Sequence, residues 1–420
     1  MAHFMFLPRR RQFITATLSA AVLSACGGGG SSAPAPSIKS VTAGDTQIVI
    51  DWVQEPGVEY WLWFFAGDTV SPGQKTASYR LNITAPYILT GLTNDTKYAI
   101  TINGRTNGGP GGPGSVVQTA TPRAAGSVWL AGGALGNSNA LRGVAQGLSS
   151  SSATTYSYVA VGDNGVIYNS PAYVSTAALS WTQVQAATGT SLNAVLYALA
   201  KYVAVGDAGS VLTSTDTTTW AAATSGTTAK LNALATNSSI IVAVGANGTI
   251  LHSGDGTTWT AATTVPTTSD LYGVTYSALG LWVAVGANGT LLTSTDAVTW
   301  TAVSSGTTAT LKAAASMTTV NSTTSVTTYS IVAVGAGGVI LSSSTGTIWS
   351  VQTQGSANLN AVASSSRFVA LGDNGTIYSS TDGTTWTAAT SPSSNAVYGV
   401  IHADNVFTAV GAAGSSIYSY

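Results

Sequence analysis

Short apolar runs of alternating character, broken by glycine-rich polar turns, fill the C-terminal two-thirds of the chain. The clearest run is the phrase Val-Ala-Val-Gly. It stands at 159–162, 203–206, 242–245, 283–286 and 332–335, and with one substitution at 369–372 and 408–411. Each copy has the length and character of a buried strand. A Gly-x-x-Gly turn follows it, carrying Asn-Gly in four copies, which is a strong hairpin signal. The glycines ending the phrase lie 44, 39, 41, 49, 37 and 39 residues apart. A period near forty is the length of a four-stranded antiparallel unit, so the pattern predicts a propeller.

Four strands are expected in each unit. The first opens at Leu141, Leu192, Leu231, Leu271, Leu311, Leu359 or Val397, and the second is the Val-Ala-Val-Gly phrase. The third follows the turn, at 166–168 in the first unit. The fourth is read as carrying Trp181, Trp220, Trp259, Trp300, Trp349 or Trp386. The seventh unit ends at Tyr420 without its tryptophan, while Trp129 stands just ahead of the first unit. The segment around Trp129 is therefore expected to complete the last unit and close a ring. An open array would need polar capping units instead, and closure shelters the sheet edge. The expected fold class is all-β, with a seven-bladed β-propeller over 123–420.

Between third and fourth strands, Ser214, Asp216 and Trp220 recur in spacing as Ser253, Asp255 and Trp259, as Ser294, Asp296 and Trp300, and as Ser380, Asp382 and Trp386. This resembles the Asp-box (BNR) repeat of sialidase-like propellers, one residue shorter between Asp and Trp. The resemblance implies a structural hairpin away from any active face, with Asp216, Asp255, Asp296 and Asp382 accepting backbone N–H bonds in the turn. Similar repeats occur in photosystem II assembly factors.

Upstream, alternation begins at Ile48, and further strands are expected at 60–65, 81–83, 87–89, 98–103 and 116–120. Short strands with regular turns predict a β-sandwich over 37–122. Trp52, Tyr60 and the Leu89…Leu92…Tyr98 stretch resemble a fibronectin type III domain. In that family the last tyrosine ties down the corner before the sixth strand. By the period-2 rule Tyr60, Leu62 and Phe64 share one face, and Trp61, Trp63 and Phe65 the other. One face must be core. The second is either a docking patch for sugar or protein or a packing surface. The glycine-rich stretch 106–114 reads as a mobile loop.

The N-terminus has the form of a secretory signal over 1–25, with Arg9, Arg10 and Arg11 before a short apolar run. Leu23-Ser24-Ala25-Cys26 resembles the lipobox of bacterial lipoproteins, which implies cleavage before Cys26 and its acylation. Residues 26–36, rich in Gly, Ser and Pro, read as a flexible tether. Gly27 after the cysteine resembles lipoproteins sorted to an outer membrane, and Arg10-Arg11 resembles a twin-arginine export signal. The expected location is the cell envelope, anchored to membrane through the N-terminal lipid.

Composition narrows the partners. Charged residues are only 7% of the chain, and its single cysteine is Cys26, so no disulfide forms within it. The 14 basic residues include the three leader arginines, and the eleven left face 15 acidic ones. That balance argues against nucleic acid as a partner. A sialidase site needs three substrate-binding arginines, a Tyr/Glu pair and an Asp acid. The repeat region offers Arg123, Arg142 and Arg367 at unrelated places, and both glutamates, Glu55 and Glu59, lie in the sandwich. His252 and His402 lack metal-ligand spacing. No catalytic residue, metal or cofactor is assigned.

What remains is the ring itself. The residue after each opening apolar position is Arg142, Asn193, Asn232, Tyr272, Lys312, Asn360 or Tyr398. Alternation turns this position toward the central channel, where it either recognises a sugar or peptide or lines a solvated bore. Asp163, Asp207, Asp373, Lys230 and Asp270 are expected on the same face. The resulting reading is a non-catalytic envelope binding protein for a glycan or protein. The alternatives are a carbohydrate-active hydrolase or lyase with an all-Asp site, and an assembly factor for a membrane complex.

Overall fold

The computed structural model describes residues 30–133, 135–136, 138–150, 155–171, 178–185, 189–320 and 324–420. The signal segment, Cys26 and the first part of the tether lie outside the described residues. Among the described residues regular structure is all strand, apart from one-turn 3-10 elements.

Two sheets come first. A three-stranded sheet joins Ile38–Gly44, Gln47–Trp52 and Tyr87–Thr90. The other holds Val58–Ala66, Ser78–Ile83 and Tyr98–Thr106. Their facing side chains form one core around Trp52, Leu62 and Ile100, with Tyr60 edge-on to Trp52 at 5.6 Å. The Tyr98 hydroxyl accepts the Thr93 N–H at 3.1 Å and so pins the preceding turn. Three features depart from the sequence reading. The strand Ile38–Gly44 precedes the first expected one. Ser31–Ser32, assigned to the tether, adds an edge strand against Arg105 and Thr106. The 106–114 stretch packs down, with Gly112 N–H donating to Gly104 O at 2.8 Å and Asn103 Nδ2 donating to Gly112 O at 3.1 Å. Composition favoured mobility there, but the loop folds back onto the strand Tyr98–Thr106 that leads into it, and composition alone does not show such a return.

Among the described residues seven four-stranded antiparallel sheets follow; they are numbered 1 to 7 from the opening residues Leu141, Leu192, Leu231, Leu271, Leu311, Leu359 and Val397. The innermost strand of each packs on that of the next, and the first packs on the seventh, so the sheets form a closed β-propeller ring. The repeated phrase explains the packing. Val203 and Val205 of sheet 2 face Ile241 and Ala243 of sheet 3, while Ala204 between them receives Val159 and Val161 of sheet 1. Large residues on one face and a small one on the other let neighbouring sheets nest. Each of these positions is fully buried, and each valine contributes roughly 1.5–3 kcal/mol of burial.

Sheet 7 takes its fourth strand from Leu130–Ala131, which pairs with Tyr418 and Ile417. Gly126 N–H donates to Ser419 Oγ at 2.7 Å. Trp129 is buried and packs with Val369, Leu371, Phe407 and Ile417, between sheets 6 and 7. In the other sheets the tryptophan stands one residue ahead of the fourth strand rather than within it: Trp220 precedes Ala221–Thr224, and Trp386 precedes Thr387–Ala388. The ring sits over the turn preceding the strand, and its Nε1 commonly donates to a carbonyl there, as Trp386 does to Gly383 O at 3.2 Å.

Candidate functional site at the ring hub

Every innermost strand carries the same irregularity at its second residue. Leu192 pairs with Gly206 and Ala194 with Val205, leaving Asn193 as an unpaired bulge residue. The same shift falls at Arg142, Asn232, Tyr272, Lys312, Asn360 and Tyr398. A bulge re-aims a side chain and bends its strand. The position after it is small, Gly143, Ala194 or Gly273 for example, because neighbouring innermost strands converge. A Cβ on Gly273 would lie 2.8 Å from the Ala313 Cα.

All seven bulge residues meet. With Lys230 and Thr310 they line one cavity of about 410 Å³, within the range of ligand sites. Thr310 lies outside the set expected from alternation; its signal is its place just before the opening Leu311, the slot that Lys230 holds before Leu231. Three lining side chains are cations, Arg142, Lys230 and Lys312, and none is a carboxylate.

The carboxylates stand behind the wall, in the turns that follow the Val-Ala-Val-Gly strands. Asp163 Oδ1 accepts from Arg142 Nε at 2.5 Å. Asp207 Oδ1 accepts from Asn193 Nδ2 at 2.9 Å and pairs with Lys230 Nζ at 3.0 Å. Asp373 accepts from Asn360 Nδ2 at 2.7 Å and from Asn358 Nδ2 at 2.8 Å. Burial pushes the Asp207 carboxyl up, but the Asn193 amide and the Lys230 ammonium outweigh it and hold it below the usual carboxylate range. Asp373 is likewise raised by burial and lowered further by Asn360, Asn358 and Lys312. Both are anions that orient the wall. Neither is poised as a proton donor at neutral pH.

The three asparagines share a second task. Asn193 Nδ2 donates to Leu231 O at 2.9 Å, Asn232 Nδ2 to Leu271 O at 2.8 Å, and Asn360 Nδ2 to Val397 O at 3.1 Å. Each acceptor opens the innermost strand of the next sheet, so these amides clip adjacent sheets together. Their N–H groups are committed to the ring. The more adaptable groups are the cations and the phenols. Lys312 Nζ donates to Asn360 Oδ1 at 2.7 Å, the Arg142 guanidinium lies 5.7 Å from the Tyr398 ring, and Tyr272 Oη donates to Asp270 Oδ2 at 3.4 Å. Burial, then Asp270, pushes the Tyr272 phenol up, so it stays a neutral donor.

The outer turns differ in kind. Asp216 Oδ1 accepts the N–H groups of Thr218 at 2.9 Å and Thr219 at 2.7 Å, and Ser214 Oγ accepts that of Thr217 at 2.9 Å. Asp255, Asp296 and Asp382 repeat the arrangement. A larger cleft of about 590 Å³ on this rim, between sheets 5 and 6, is lined mainly by hydroxyls, and its one carboxylate, Asp382, is tied into such a turn. His402 is half-buried against Phe407, 4.7 Å between rings, and burial pushes its imidazole down. Among the described residues no three His, Cys, Asp or Glu side chains cluster.

No family model matches the chain, and no curated protein does. Solved structures are similar in fold. YCF48 bound to D1 peptide matches with a TM-score of 0.54 at 15% identity, over 71% of this chain and 99% of that one. YCF48 from Cyanidioschyzon merolae matches with a TM-score of 0.53 at 16% identity, over 70% and 99%. The WD40 beta propeller domain of Doa1 matches with a TM-score of 0.54 at 11% identity, over 70% and 96%. At such identities the likeness is one of fold alone.

Proposed function

We propose that this chain is a non-catalytic binding protein of the bacterial cell envelope, held by lipid at Cys26, whose seven-bladed propeller grips an extended polypeptide at its hub. A fibronectin type III domain at 37–122 joins anchor to propeller, and the outer membrane is the proposed site. One observation carries the reading: a cavity of about 410 Å³ lined by three cations and two phenols, with no carboxylate on the wall itself and with Arg142 and Lys230 backed by Asp163 and Asp207. Such a wall receives an anionic side chain or chain end, with tyrosine surfaces for its neighbours. A hydrolase or lyase needs a positioned acid–base pair, and the hub aspartates that the alternative would use are engaged by amide and ammonium groups.

The second reading, an assembly factor for a membrane complex, is favoured by YCF48, a similar propeller solved bound to D1 peptide. The two differ only in the client.

The test is calorimetric titration of the mature protein with acidic and neutral peptides, beside a glycan array. Arg142→Ala with Lys312→Ala should weaken peptide binding at least about tenfold, the loss of one charge-assisted contact or more, in a protein that still melts cooperatively. Glycan binding without peptide binding transfers the site to sugars. Bond cleavage by pure protein replaces the reading altogether.

A further inference from the structure

The five-stranded sheet of the N-terminal sandwich has a second face that its core does not use. Tyr60, Leu62 and Phe64 point inward, and Trp61, Trp63 and Phe65 alternate with them. Tyr79 lies opposite Trp63, their rings 5.1 Å apart, and Leu81 follows in the bulge between Arg80 and Ile83. Phe65, Tyr79 and Leu81 are 37%, 44% and 53% exposed. The other half of this face is covered, since Ser115 bonds to Thr101 and the glycine loop bonds to Asn103. The open part is a short band of Phe65, Tyr79 and Leu81, beside which Trp61 lies under the loop, where a Cβ on Gly111 would be 3.1 Å from its ring, and Trp63 donates Nε1 to Asn103 Oδ1 at 2.9 Å. The face ends at Arg105, which lies 4.7 Å over the Trp61 ring and bonds to Glu59 at 2.8 Å.

The chain enters at that same end. Ser31 and Ser32 pair with Thr106 and Arg105, and Ser31 stands five residues after Cys26 in the chain. Five residues reach at most about 18 Å when extended, well short of the thickness of a bilayer. An acylated Cys26 would thus hold this edge of the sandwich at the headgroups. Trp and Tyr, with apolar bodies and polar tips, are the residues that favour that layer. The sandwich is not basic: Lys39, Lys75, Arg80, Lys97 and Arg105 face Asp45, Asp51, Glu55, Glu59, Asp68 and Asp95. Contact here would come from aromatic burial, with no call for anionic lipid.

We propose that the open part of this face, Phe65, Tyr79 and Leu81, lies in the interfacial layer of the membrane that carries the lipidated Cys26. The inference rests on the acylation reading. It makes the sandwich a membrane-seated foot in place of a domain on a free tether.

The mature lipoprotein in phosphatidylcholine vesicles provides the test. Acylation occupies the only native thiol, so single cysteines introduced as Tyr79→Cys, Phe65→Cys and, as an outer-rim control, Thr218→Cys can each carry one fluorophore. Labels at 79 and 65 should be quenched several-fold more than the control by lipids bearing nitroxide near the headgroup. Adding Leu81→Ser should reduce the difference, while anionic lipid or high salt should leave it unchanged. Equal quenching at all three sites, with the diacyl mass present in the mass spectrum, overturns the inference and spares the anchor. A spectrum without acyl chains overturns both. Quenching at 79 that rises with protein density in nitroxide-free vesicles assigns the face to a second copy and also overturns it.

Discussion

The outer turns and the hub belong to the same repeat, yet they behave in opposite ways. At the rim one set of bonds recurs four times: Asp216, Asp255, Asp296 and Asp382 each accept two successive backbone N–H groups. At the hub one backbone position carries Arg, Asn, Asn, Tyr, Lys, Asn and Tyr in turn. Bonds that recur at equivalent places build the scaffold. Side chains that differ at equivalent places give the cavity its polarity. The same test divides the hub itself: the amides of Asn193, Asn232 and Asn360 repeat one inter-sheet bond, whereas Arg142, Tyr272, Lys312 and Tyr398 do not repeat one another.

The sharpest way to break this division is at the ring closure. Trp129 arrives from the far end of the propeller segment yet fills a core like that served by the rim tryptophans, against Phe407 at 6.3 Å. If closure is scaffold, Trp129→Ala costs about 3–5 kcal/mol of stability, read by denaturant melts, and leaves hub affinity per folded molecule unchanged. Deleting 126–132 should do at least as much. A variant that melts normally would mean that sheet 7 stands without its borrowed strand.

Sheet 5 offers an internal comparison of smaller size. Thr345 stands where sheets 2, 3, 4 and 6 have Asp, and its Oγ1 accepts Thr347 and Ile348 N–H groups at 3.3 Å each. Asp216→Ala should cost about 1 kcal/mol, as loss of a helix-capping oxygen does, and Thr345→Asp should return up to about the same. Asn232→Ala should also lower the melt, because it removes an inter-sheet clip. Equal loss of binding and no change in stability for Asn232→Ala would move that residue from the scaffold to the ligand.

Acid extends the comparison. Backbone N–H bonds, that of Thr219 above all, hold the Asp216 carboxyl down at about 2. Those at Asp255 and Asp296 are likewise lowered by the backbone N–H groups of their turns. Burial pushes Asp382 up, but the same bonds pull it lower still. The unfolded chain takes up these protons near pH 3.9, before the folded one does. The stabilisation is therefore complete above pH 4 and fades as pH falls toward 2. Melts across that window should drop in the native chain and flatten when the four residues are changed to Asn. The exposure of these turns keeps the effect modest.

How much of this could be read from sequence depends on the range of the bond involved. The Val-Ala-Val-Gly strands were legible because period-2 alternation is local. The hub ring was legible in position but not in cause: alternation pointed at Asn193 and its equivalents, whereas a bulge shared by all seven strands aims them. The small residue that follows, Gly143 or Ala194, was the available hint. The clip from Asn193 to Leu231 O was not legible, since its acceptor lies 38 residues on, in another sheet. Ser31–Ser32 failed for the same reason, because a Gly/Ser stretch takes strand form only when Arg105 and Thr106 offer an edge.

The smallest effect tests whether the inner turns belong to the scaffold or to the site. Each turn places its middle residue at positive φ: Asn164, Asn247, Asn288 and Asn374 at 55 to 58°, but Ala208 at 53° and Ala413 at 52°. Asparagine tolerates this region, whereas alanine crowds its Cβ against the backbone, at a cost of roughly 1 kcal/mol. If these turns only connect strands, Ala208→Asn relieves the strain and stabilises by about 0.5–1 kcal/mol, with affinity at the hub unchanged. Ala208 follows Asp207, whose carboxylate holds Asn193 and Lys230 in the cavity wall. A substitution that stabilises the fold while weakening the ligand would show that the strained alanine sets the position of that carboxylate. The boundary between the repeated scaffold and the variable hub would then run through the turn itself.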